Sequence, residues 1–288
     1  MVTASHNPKE YNGFKIYSHI GCQINSPLDG NIARRMRELS ASDIRIHTSL
    51  KPEYVSAESI YTEYLKNLPT LRPIATKIIY TPMHGIGWHY IRQMVPSLIP
   101  VTAQIPLDPD FSTLEFPNPE EISAFKLAIK EAEVKHARVI MANDPDVDRF
   151  ALAELTSKGW KIFTGNELAL MFIDYLWTNR DRTIPNEKYQ ALTTCVSTQL
   201  IHRIGIKEGF KVQSTSTGFK NIGNLAAQLH AEGMEVIFAF EESIGFMVGK
   251  LVWDKDGIST LNLAYRIIAF LESKDMSILG YLNSIYEK

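Results

Sequence analysis

The sequence has few cysteines, no long apolar run and almost no excess of either charge. The two cysteines, Cys22 and Cys195, show neither metal-site spacing nor a disulfide framework, which favours a reducing compartment and the cytoplasm. The 30 basic residues nearly balance the 32 acidic ones, so no overall field attracts nucleic acid or an anionic membrane. The longest uncharged stretches, 78–91 and 93–107, contain His, Gly or Pro and fall short of the ~18 apolar residues of a membrane helix. We therefore expect neither nucleic acid nor a membrane as a partner.

What is present is an ordinary globular composition. Apolar residues make up 45% and charged residues 22%, with 16 Gly and 14 Pro, which excludes disordered, collagen-like and coiled-coil classes. A chain of 288 residues predicts about two domains at ~100–200 residues each. The first eight residues are turn-forming, with no basic or apolar segment, and do not predict a signal peptide.

Apolar runs and turn residues alternate in two blocks. The first block predicts a strand over 74–80, a breaker-rich loop and then a helix, a second helix that begins at Asn118 and Pro119, and a strand over 137–142. The apolar face of that second helix is expected to contain Ile122, Phe125, Ile129 and Ala132. Earlier in the chain, 52–68 has a helical pattern, while 1–43 contains too little strand-forming sequence for a sheet.

The second block follows a helix over 165–177 and a charged linker at 179–188, where we place a domain boundary. It predicts strands at 189–196, 210–214 and 236–240 and helices at 197–204, 220–230 and 259–272. Strands that alternate with helices in this way are typical of βαβ units, so we expect an α/β fold with mostly parallel sheets.

Three aspartates follow the predicted strand 137–142 and alternate along the chain. Asp144, Asp146 and Asp148 can converge on one small cation, and Mg²⁺ prefers carboxylates together with phosphate or water oxygens. An EF-hand is excluded, because that Ca²⁺ loop needs Gly and Glu where this chain has Arg149 and Leu155. The alternative is a solvated acidic turn, but ligands of open α/β sheets bind at the carboxyl ends of strands, which favours a metal site.

A hydroxyl and an imidazole are adjacent near the start of the chain, where Ser5 precedes His6 and Lys15 follows. A nucleophilic serine needs a base or a charged neighbourhood to activate it or to stabilise its phosphoryl ester. The same residues are also good turn and capping residues, so their spacing leaves both interpretations open.

Three further loops carry polar groups, and each could equally be a solvated turn or an ordinary helix cap. Glu241 and Ser243 follow a strand, and carboxylates are strong acceptors for polyol hydroxyls. The small-residue loop at 215–220 enters a helix and could hold an oxyanion on backbone N–H groups. Lys255 lies between two acids and could transfer a proton in a cleft. A cation site, a candidate nucleophile and these loops together favour phosphoryl transfer.

Four of these motifs, in this order along the chain, resemble the α-D-phosphohexomutase superfamily: TASHNP at 3–8, DPDVDR at 144–149, TGFK at 217–220 and EES at 241–243. Residues 165–168, 238–242 and 254–257 are most similar to the phosphoglucomutase-2/phosphopentomutase branch, which includes a glucose-1,6-bisphosphate synthase relative. The resemblance covers essentially the whole chain.

The resemblance implies tandem phosphohexomutase-type βαβ domains with mixed, mostly parallel sheets. Residues 1–72 would be the C-terminal part of domain I with a phosphoserine loop, 73–185 domain II with the metal loop, and 186–288 domain III with the sugar-binding loop. The first domain would then be incomplete and the fourth absent, because the upstream sheet with its phosphate-contacting Arg and the final phosphate-gripping loop have no counterpart here. We therefore expect a fragment.

The resemblance also implies roles for individual residues. Ser5 would be the phosphoserine and would bind Mg²⁺ together with Asp144, Asp146 and Asp148. Catalytic contacts are implied for His6, Lys15 and Lys255, the two lysines being general acid/base candidates. The substrate would be bound by Arg149, Glu241, Ser243 and the loop Thr217, Gly218, Phe219 and Lys220. His84 and Gly85 lie in a similar interdomain loop, where a helix-capping role is the alternative.

The implied activity is that of a cytoplasmic, monomeric phosphosugar mutase. It would interconvert ribose or deoxyribose 1- and 5-phosphate, glucose 1- and 6-phosphate, or both, with a bisphosphorylated sugar as intermediate and activator. Two alternatives stay open: a glucose-1,6-bisphosphate synthase, and a non-catalytic fragment that binds metal or sugar phosphate.

Overall fold

The computed structural model describes residues 1–43, 49, 51 and 55–288. Within the described residues before 78, the chain forms helices and no sheet. Helix α1 spans Leu28–Glu38 and helix α2 spans Ala57–Lys66. Ahead of α1, Val2 pairs with Phe14 and Tyr17 with Gln23 in isolated antiparallel bridges. This agrees with the scarcity of strand-forming sequence in residues 1–43. The helix predicted over 52–68 is observed from residue 57, and residues 52–54 lie outside the described ranges.

The first sheet has five strands and places one loop at its centre. Its elements are β1 (Ile78–Thr81), α3 (Gly87–Met94), β2 (Ile99–Pro100), α4 (Lys126–Lys135), β3 (Val139–Ala142), β4 (Ala151–Thr156) and β5 (Gly159–Ile162). The strand order is β2-β1-β3-β4-β5, with β1, β2 and β3 parallel. The chain leaves β1 towards β2 on one side and later returns to β3 on the other. The carboxyl ends of β1 and β3 therefore form the switch point where ligands bind in such sheets.

The second sheet repeats this design with four strands. Its elements are α5 (Gly165–Thr178), β6 (Tyr189–Thr194), α6 (Leu200–Glu208), β7 (Lys211–Thr215), α7 (Phe219–Ala231), β8 (Glu235–Glu241), β9 (Gly245–Val248), α8 (Gly257–Glu272) and α9 (Ile278–Tyr286). The order is β7-β6-β8-β9, and only β9 is antiparallel to its neighbour. Every residue of β6 is buried, as expected for a central strand covered by helices on both faces. None of the described helices is long and apolar enough to cross a membrane.

A cluster of phenylalanines joins the two sheets into one core. Phe172 of α5 packs edge-on against Phe246 of β9, with ring centroids 5.2 Å apart, and also contacts Phe238 of β8. On its other side it meets Phe150, the residue before β4. These four side chains are almost completely buried. The loops at the carboxyl ends of both sheets are thus held in a fixed relation.

The helix predicted to begin at Asn118 begins later, and this prediction was wrong. The side chain of Asn118 accepts a hydrogen bond from Glu120 N at 3.1 Å and closes a turn instead of capping a helix. Residues Ile122–Phe125 form a 3₁₀ turn, and α4 starts only at Lys126. Ile122, expected on the apolar face, is 66% exposed. Glu120 is instead paired with Arg149, which draws this segment towards the site.

The strand predicted from residue 74 starts at Ile78. Residues 75 and 76 do not pair with a neighbouring strand, because their N–H groups donate to the carboxylate of Glu272 at 2.9 and 2.8 Å. The antiparallel strands β4, β5 and β9 were not identified from the sequence. The expected α/β class with mixed, mostly parallel sheets is confirmed, while the domain limits at 72 and 185 stay predictions.

We expect Phe172→Ala to lower the free energy of unfolding by about 3–5 kcal/mol, because it leaves a cavity between the two sheets. Urea denaturation followed by circular dichroism measures this. Ile206→Ala in α6 is the control, since Ile206 is 84% exposed and its truncation should change stability by less than about 0.5 kcal/mol. Equal midpoints for the two variants would contradict the shared core.

Candidate active site

The three aspartates lie at the switch point of the first sheet. One carboxylate oxygen from each of Asp144, Asp146 and Asp148 lies within 4.8 Å of the others. Asp144 is fully buried, and the side chains of the other two are 10% and 14% exposed. Burial, followed by the charges of Asp148 and Asp146, raises the pKa of Asp144 well above its ordinary value. Carboxylates so close together need positive charge nearby.

The backbone of this loop is held in a conformation that a valine rarely adopts. Val147, between two of the aspartates, has φ 64°, and a left-handed β-branched residue costs about 1–3 kcal/mol. Its carbonyl accepts a hydrogen bond from Gly257 N at 2.9 Å. A Cβ at Gly257 would overlap Asn143, and one at Gly85 would overlap the backbone of Pro145. Two glycines therefore let neighbouring segments approach the loop closely.

His84 does not reach the aspartates. Both of its ring nitrogens are engaged, at 3.0 Å from Pro106 O and 2.7 Å from Thr113 Oγ1. It fixes the loop that follows β2 and caps no helix, because α3 begins only at Gly87. Gly85 has the more direct effect on the site.

The serine loop docks on the aspartate loop through two hydroxyl groups. Ser5 Oγ donates to Asp144 Oδ2 at 2.7 Å, and Thr3 Oγ1 donates to Asp146 Oδ2 at 3.0 Å. Thr3 also accepts a hydrogen bond from Ser5 N at 2.9 Å, which stabilises the left-handed conformation of Ser5 at φ 53°. The candidate nucleophile therefore points into the carboxylate cluster. Sequence spacing did not identify Thr3, although its place in the serine motif could have suggested it.

His6 lies against the same hydroxyl. Its Nδ1 is 3.0 Å from Ser5 Oγ. Burial, followed by the positive charge of Arg149, lowers the pKa of His6 to about 4. The imidazole is therefore neutral at pH 7 and orients the serine without adding positive charge.

Two lysines supply the positive charge that the aspartates need. Lys15 Nζ lies 2.9 Å from Asp148 Oδ2 and 3.5 Å from Asp146 Oδ2. Lys255 Nζ lies 3.2 Å from Asp148 Oδ2 and 3.4 Å from Glu241 Oε1. Burial alone would lower the pKa of each lysine, but the adjacent carboxylates raise both values above the ordinary range. Both lysines are thus cationic at neutral pH.

Two carboxylate oxygens remain without a partner after these contacts. Asp146 Oδ1 and Asp148 Oδ1 are buried, and no hydrogen-bond donor meets them among the residues that the structure describes. A buried anionic oxygen without a donor is costly, and a divalent cation would satisfy both. The donor set, all carboxylate and hydroxyl oxygen, suits a hard ion. These residues therefore fit the metal that the sequence predicts.

Arg149 connects the aspartate loop to its surroundings. Its backbone N–H donates a hydrogen bond to Asp144 Oδ1 at 2.9 Å, and its side-chain guanidinium forms a salt bridge with Glu120 at 2.9 Å. Its Nε is buried without an acceptor in the described part of the chain. Arg149 thus positions the loop and keeps one donor available for another group.

The loop of Thr217, Gly218, Phe219 and Lys220 makes no described contact with this cluster. Lys220 Nζ pairs with Asp29 of α1 at 2.8 Å. Phe219 is the first residue of α7 and is buried, and Gly218, with φ 97°, is the N-cap of that helix. The structure thus shows no contact between this loop and the aspartate cluster, although the resemblance implies that both belong to one site.

The two glutamates of the EES turn have different partners, one in the site and the other at the carboxyl end of β6. Glu241 faces Lys255, and burial raises the pKa of Glu241 above its ordinary value. Glu242 instead accepts hydrogen bonds at 2.9 Å from Thr194 and Ser197. No hydrogen bond to Ser243 occurs within the described residues, and Ser243 is partly exposed.

A cavity of about 340 Å³ opens beside the lysines and is lined by two tyrosines, Tyr17 and Tyr64, that the sequence motifs did not indicate. Tyr17 donates to Asp254 Oδ2 at 2.7 Å, and Tyr64 donates to Asp256 Oδ2. All four side chains line the cavity together with Lys15. Each pair is separated by more than 190 residues of sequence, and neither shows a local pattern that could have predicted it.

Family comparison accounts for nearly all of the chain. Models of the phosphoglucomutase/phosphomannomutase α/β/α domains I, II and III match residues 1–43, 59–157 and 164–288, in that order. The chain belongs to the phosphoglucomutase/phosphomannomutase family. The superfamily expected from the four motifs is thereby confirmed.

Curated relatives carry the names of phosphosugar enzymes. The chain is 39% identical to human glucose 1,6-bisphosphate synthase, with all of this chain and 50% of the relative aligned. It is 37% identical to human phosphopentomutase over 99% of this chain and 50% of the relative. Yeast phosphoribomutase, from Saccharomyces cerevisiae, is 36% identical over 90% and 47%. The chain thus spans about half the length of these curated relatives.

Solved structures show the same fold at low sequence identity. A phosphoglucomutase/phosphomannomutase family protein from Burkholderia thailandensis aligns with a TM-score of 0.76 at 18% identity, over 99% of this chain and 57% of that protein. The N-acetylphosphoglucosamine mutase of Aspergillus fumigatus, solved with glucose 1,6-bisphosphate, aligns with a TM-score of 0.61 at 14% identity, over 98% and 71%.

We expect Gly257→Ala to lower the free energy of unfolding by about 1–3 kcal/mol, because the new methyl group overlaps the aspartate loop. Gly30→Ala in α1 is the control, since that position faces open space and alanine should stabilise the helix by about 0.5–1 kcal/mol. Urea denaturation compares them. Stability of Gly257→Ala equal to that of the wild type would show that the loop is not held in this way.

Proposed function

We propose that the protein is a phosphosugar mutase that transfers a phosphoryl group through Ser5. The observation that carries this proposal is the contact between Ser5 Oγ and Asp144 Oδ2, 2.7 Å long, inside a cluster of three carboxylates and two lysines. A serine near a cation site and fixed positive charges suits formation and breakdown of a phosphoryl ester. The names phosphopentomutase and phosphoribomutase among the relatives support the same reaction class.

The proposed cofactor is Mg²⁺, held by Asp144, Asp146, Asp148 and the oxygen of Ser5. The choice rests on hard oxygen donors and on the two buried oxygens without donors. When bound, the ion would neutralise charge on the phosphoryl oxygens. The protein's own part is to hold the carboxylates together and to orient the serine through His6.

In the proposed reaction, the phosphoserine gives its phosphoryl group to a hydroxyl of a sugar monophosphate. The bond between phosphorus and Ser5 Oγ breaks and a bond to the sugar oxygen forms, while the proton of the sugar hydroxyl passes to the carboxylate of Glu241, whose pKa is raised by burial. Transfer of the other phosphoryl group back to Ser5 completes the isomerisation. Lys15 and Lys255 are charged, so they can stabilise the phosphoryl oxygens and donate a proton to the departing oxygen.

Sugar hydroxyls and phosphate would bind around this centre. Glu241 and Ser243 are proposed to bind hydroxyl groups, because one lies next to Lys255 and the other has no described hydrogen bond. Arg149 is proposed to use its free Nε for an anionic group. The loop 217–220 is proposed to select sugar orientation, a role that requires movement towards the cluster or contact through a longer substrate.

We propose pentose 1- and 5-phosphates and glucose 1- and 6-phosphates as substrates, with a sugar bisphosphate as activator. A glucose-1,6-bisphosphate synthase is the second candidate, favoured by 39% identity to a relative of that name. A monomer in the cytoplasm is also proposed, and the absence of a disulfide between buried Cys22 and exposed Cys195 supports the reducing location.

The test compares wild type, Ser5→Ala and Ser59→Ala on ribose 1-phosphate, on glucose 1-phosphate, and on glucose 1-phosphate with 1,3-bisphosphoglycerate. We expect Ser5→Ala to lose at least about 10³-fold in turnover, because no oxygen is left to carry the phosphoryl group. Ser59→Ala changes an exposed serine of α2 and should keep full activity.

Four outcomes distinguish the candidate functions. Isomerisation that depends on Ser5 supports the mutase, and bisphosphate formation only with the acyl phosphate donor supports the synthase. Isomerisation that survives in Ser5→Ala contradicts both. Binding of sugar phosphate without turnover by the wild-type chain would leave the non-catalytic binding role.

A further inference from the structure

A phenol joins helix α2, which precedes the first sheet, to the start of helix α8. Tyr64 OH donates to Asp256 Oδ2 across 192 residues of sequence. Tyr64 is partly buried and lines the same cavity as Lys15, Asp146 and Lys255. The contact therefore lies beside the aspartate cluster, although Tyr64 touches none of the three aspartates.

Asp256 fixes the first turn of α8. Its side chain accepts hydrogen bonds from Ile258 N at 3.1 Å and Ser259 N at 3.2 Å, as an N-cap does. Its own N–H donates to Phe246 O at 2.9 Å and so ties it to β9. The phenol of Tyr64 adds a third donor to the carboxylate and restricts its rotation.

The two neighbours of Asp256 both contact the aspartate loop. Lys255, before it, reaches Asp148 Oδ2 with its Nζ at 3.2 Å. Gly257, after it, donates from its N–H to Val147 O at 2.9 Å. A change in the orientation of Asp256 thus moves one charge and one backbone donor that act on the loop.

We infer that Tyr64 is a positioning residue, whose hydroxyl holds Asp256 and thereby sets the aspartate loop for cation binding. The inference rests on the proposed cation site. Val147 is strained and depends on Gly257 for its backbone bond, so small shifts of α8 change the direction of the carboxylates on either side of it. Mutation of groups that orient metal ligands typically lowers metal affinity by about 10–100-fold.

The test is a titration of the 288-residue chain with Mn²⁺, followed by electron paramagnetic resonance of the free ion. We expect Tyr64→Phe to bind Mn²⁺ about 10-fold more weakly than the wild type. The variant keeps the ring and its packing, so thermal unfolding of the metal-free protein should still be a single transition.

Two tyrosine variants are matched controls. Tyr281→Phe removes an equivalent phenol–carboxylate bond, 2.8 Å long, between Tyr281 of α9 and Asp174 of α5. Tyr61→Phe removes a hydroxyl from the same helix as Tyr64, and within the described residues that hydroxyl has no hydrogen bond. Both controls should bind Mn²⁺ as the wild type does.

Unchanged Mn²⁺ affinity in Tyr64→Phe would overturn the inference while leaving the cation site in place. An equal loss of affinity in Tyr281→Phe would also overturn it, because the effect would then follow general stability. Absence of Mn²⁺ binding in the wild type would refute the cation site and the inference together, which distinguishes failure of the proposed function from failure of this inference alone.

Discussion

Repulsion among three confined carboxylates is the constraint on which the site depends. Two unit charges about 5 Å apart repel by roughly 3 kcal/mol at an effective dielectric constant of ~20. Asp144, Asp146 and Asp148 lie within that range in a buried loop. The two lysines offset part of this cost through Asp148, which is why burial fails to raise its pKa and the value falls below the ordinary one. A divalent cation, as proposed, would satisfy Asp146 Oδ1 and Asp148 Oδ1, which have no hydrogen-bond donor in the described part of the chain.

The constraint explains why distant segments meet here. Ser5 contacts Asp144 although it lies 139 residues earlier in the sequence, and Lys255 belongs to the loop that precedes α8. Neither sheet alone could hold the cluster, because the loop after β3 supplies the acids and the second sheet supplies Glu241 and the support for Lys255. The phenylalanine core between the sheets makes this shared centre rigid.

Local spacing and topology together predicted the centre of the site. Alternating aspartates after an apolar strand indicate a cation loop, and the switch-point rule locates it at the sheet edge. The pairing of Lys220 with Asp29 could not be predicted, since nothing in either segment identifies its partner. The same holds for Tyr64 and Asp256.

The wrong helix start at Asn118 has a related cause. The local residues form a good helix start, but Glu120 is recruited by Arg149, a partner that local sequence does not reveal. The antiparallel strands β4 and β5 were missed because β4 is rich in Ala, Leu and Glu, which do not favour strands over helices, and β5 is short and has no buried residue. Contacts between neighbouring residues were therefore predictable, whereas contacts between distant ones, from 29 residues apart for Arg149 and Glu120 to 192 for Tyr64 and Asp256, required the fold.

Calorimetric titration of the chain with Mg²⁺ measures directly whether the aspartate cluster binds a cation. We expect one ion per chain, loss of binding in Asp148→Asn, and unchanged binding in Asp275→Asn, which alters an exposed carboxylate outside the site. Absence of Mg²⁺ binding by the wild type, or binding that persists without the Asp148 carboxylate, would contradict the proposed cation site.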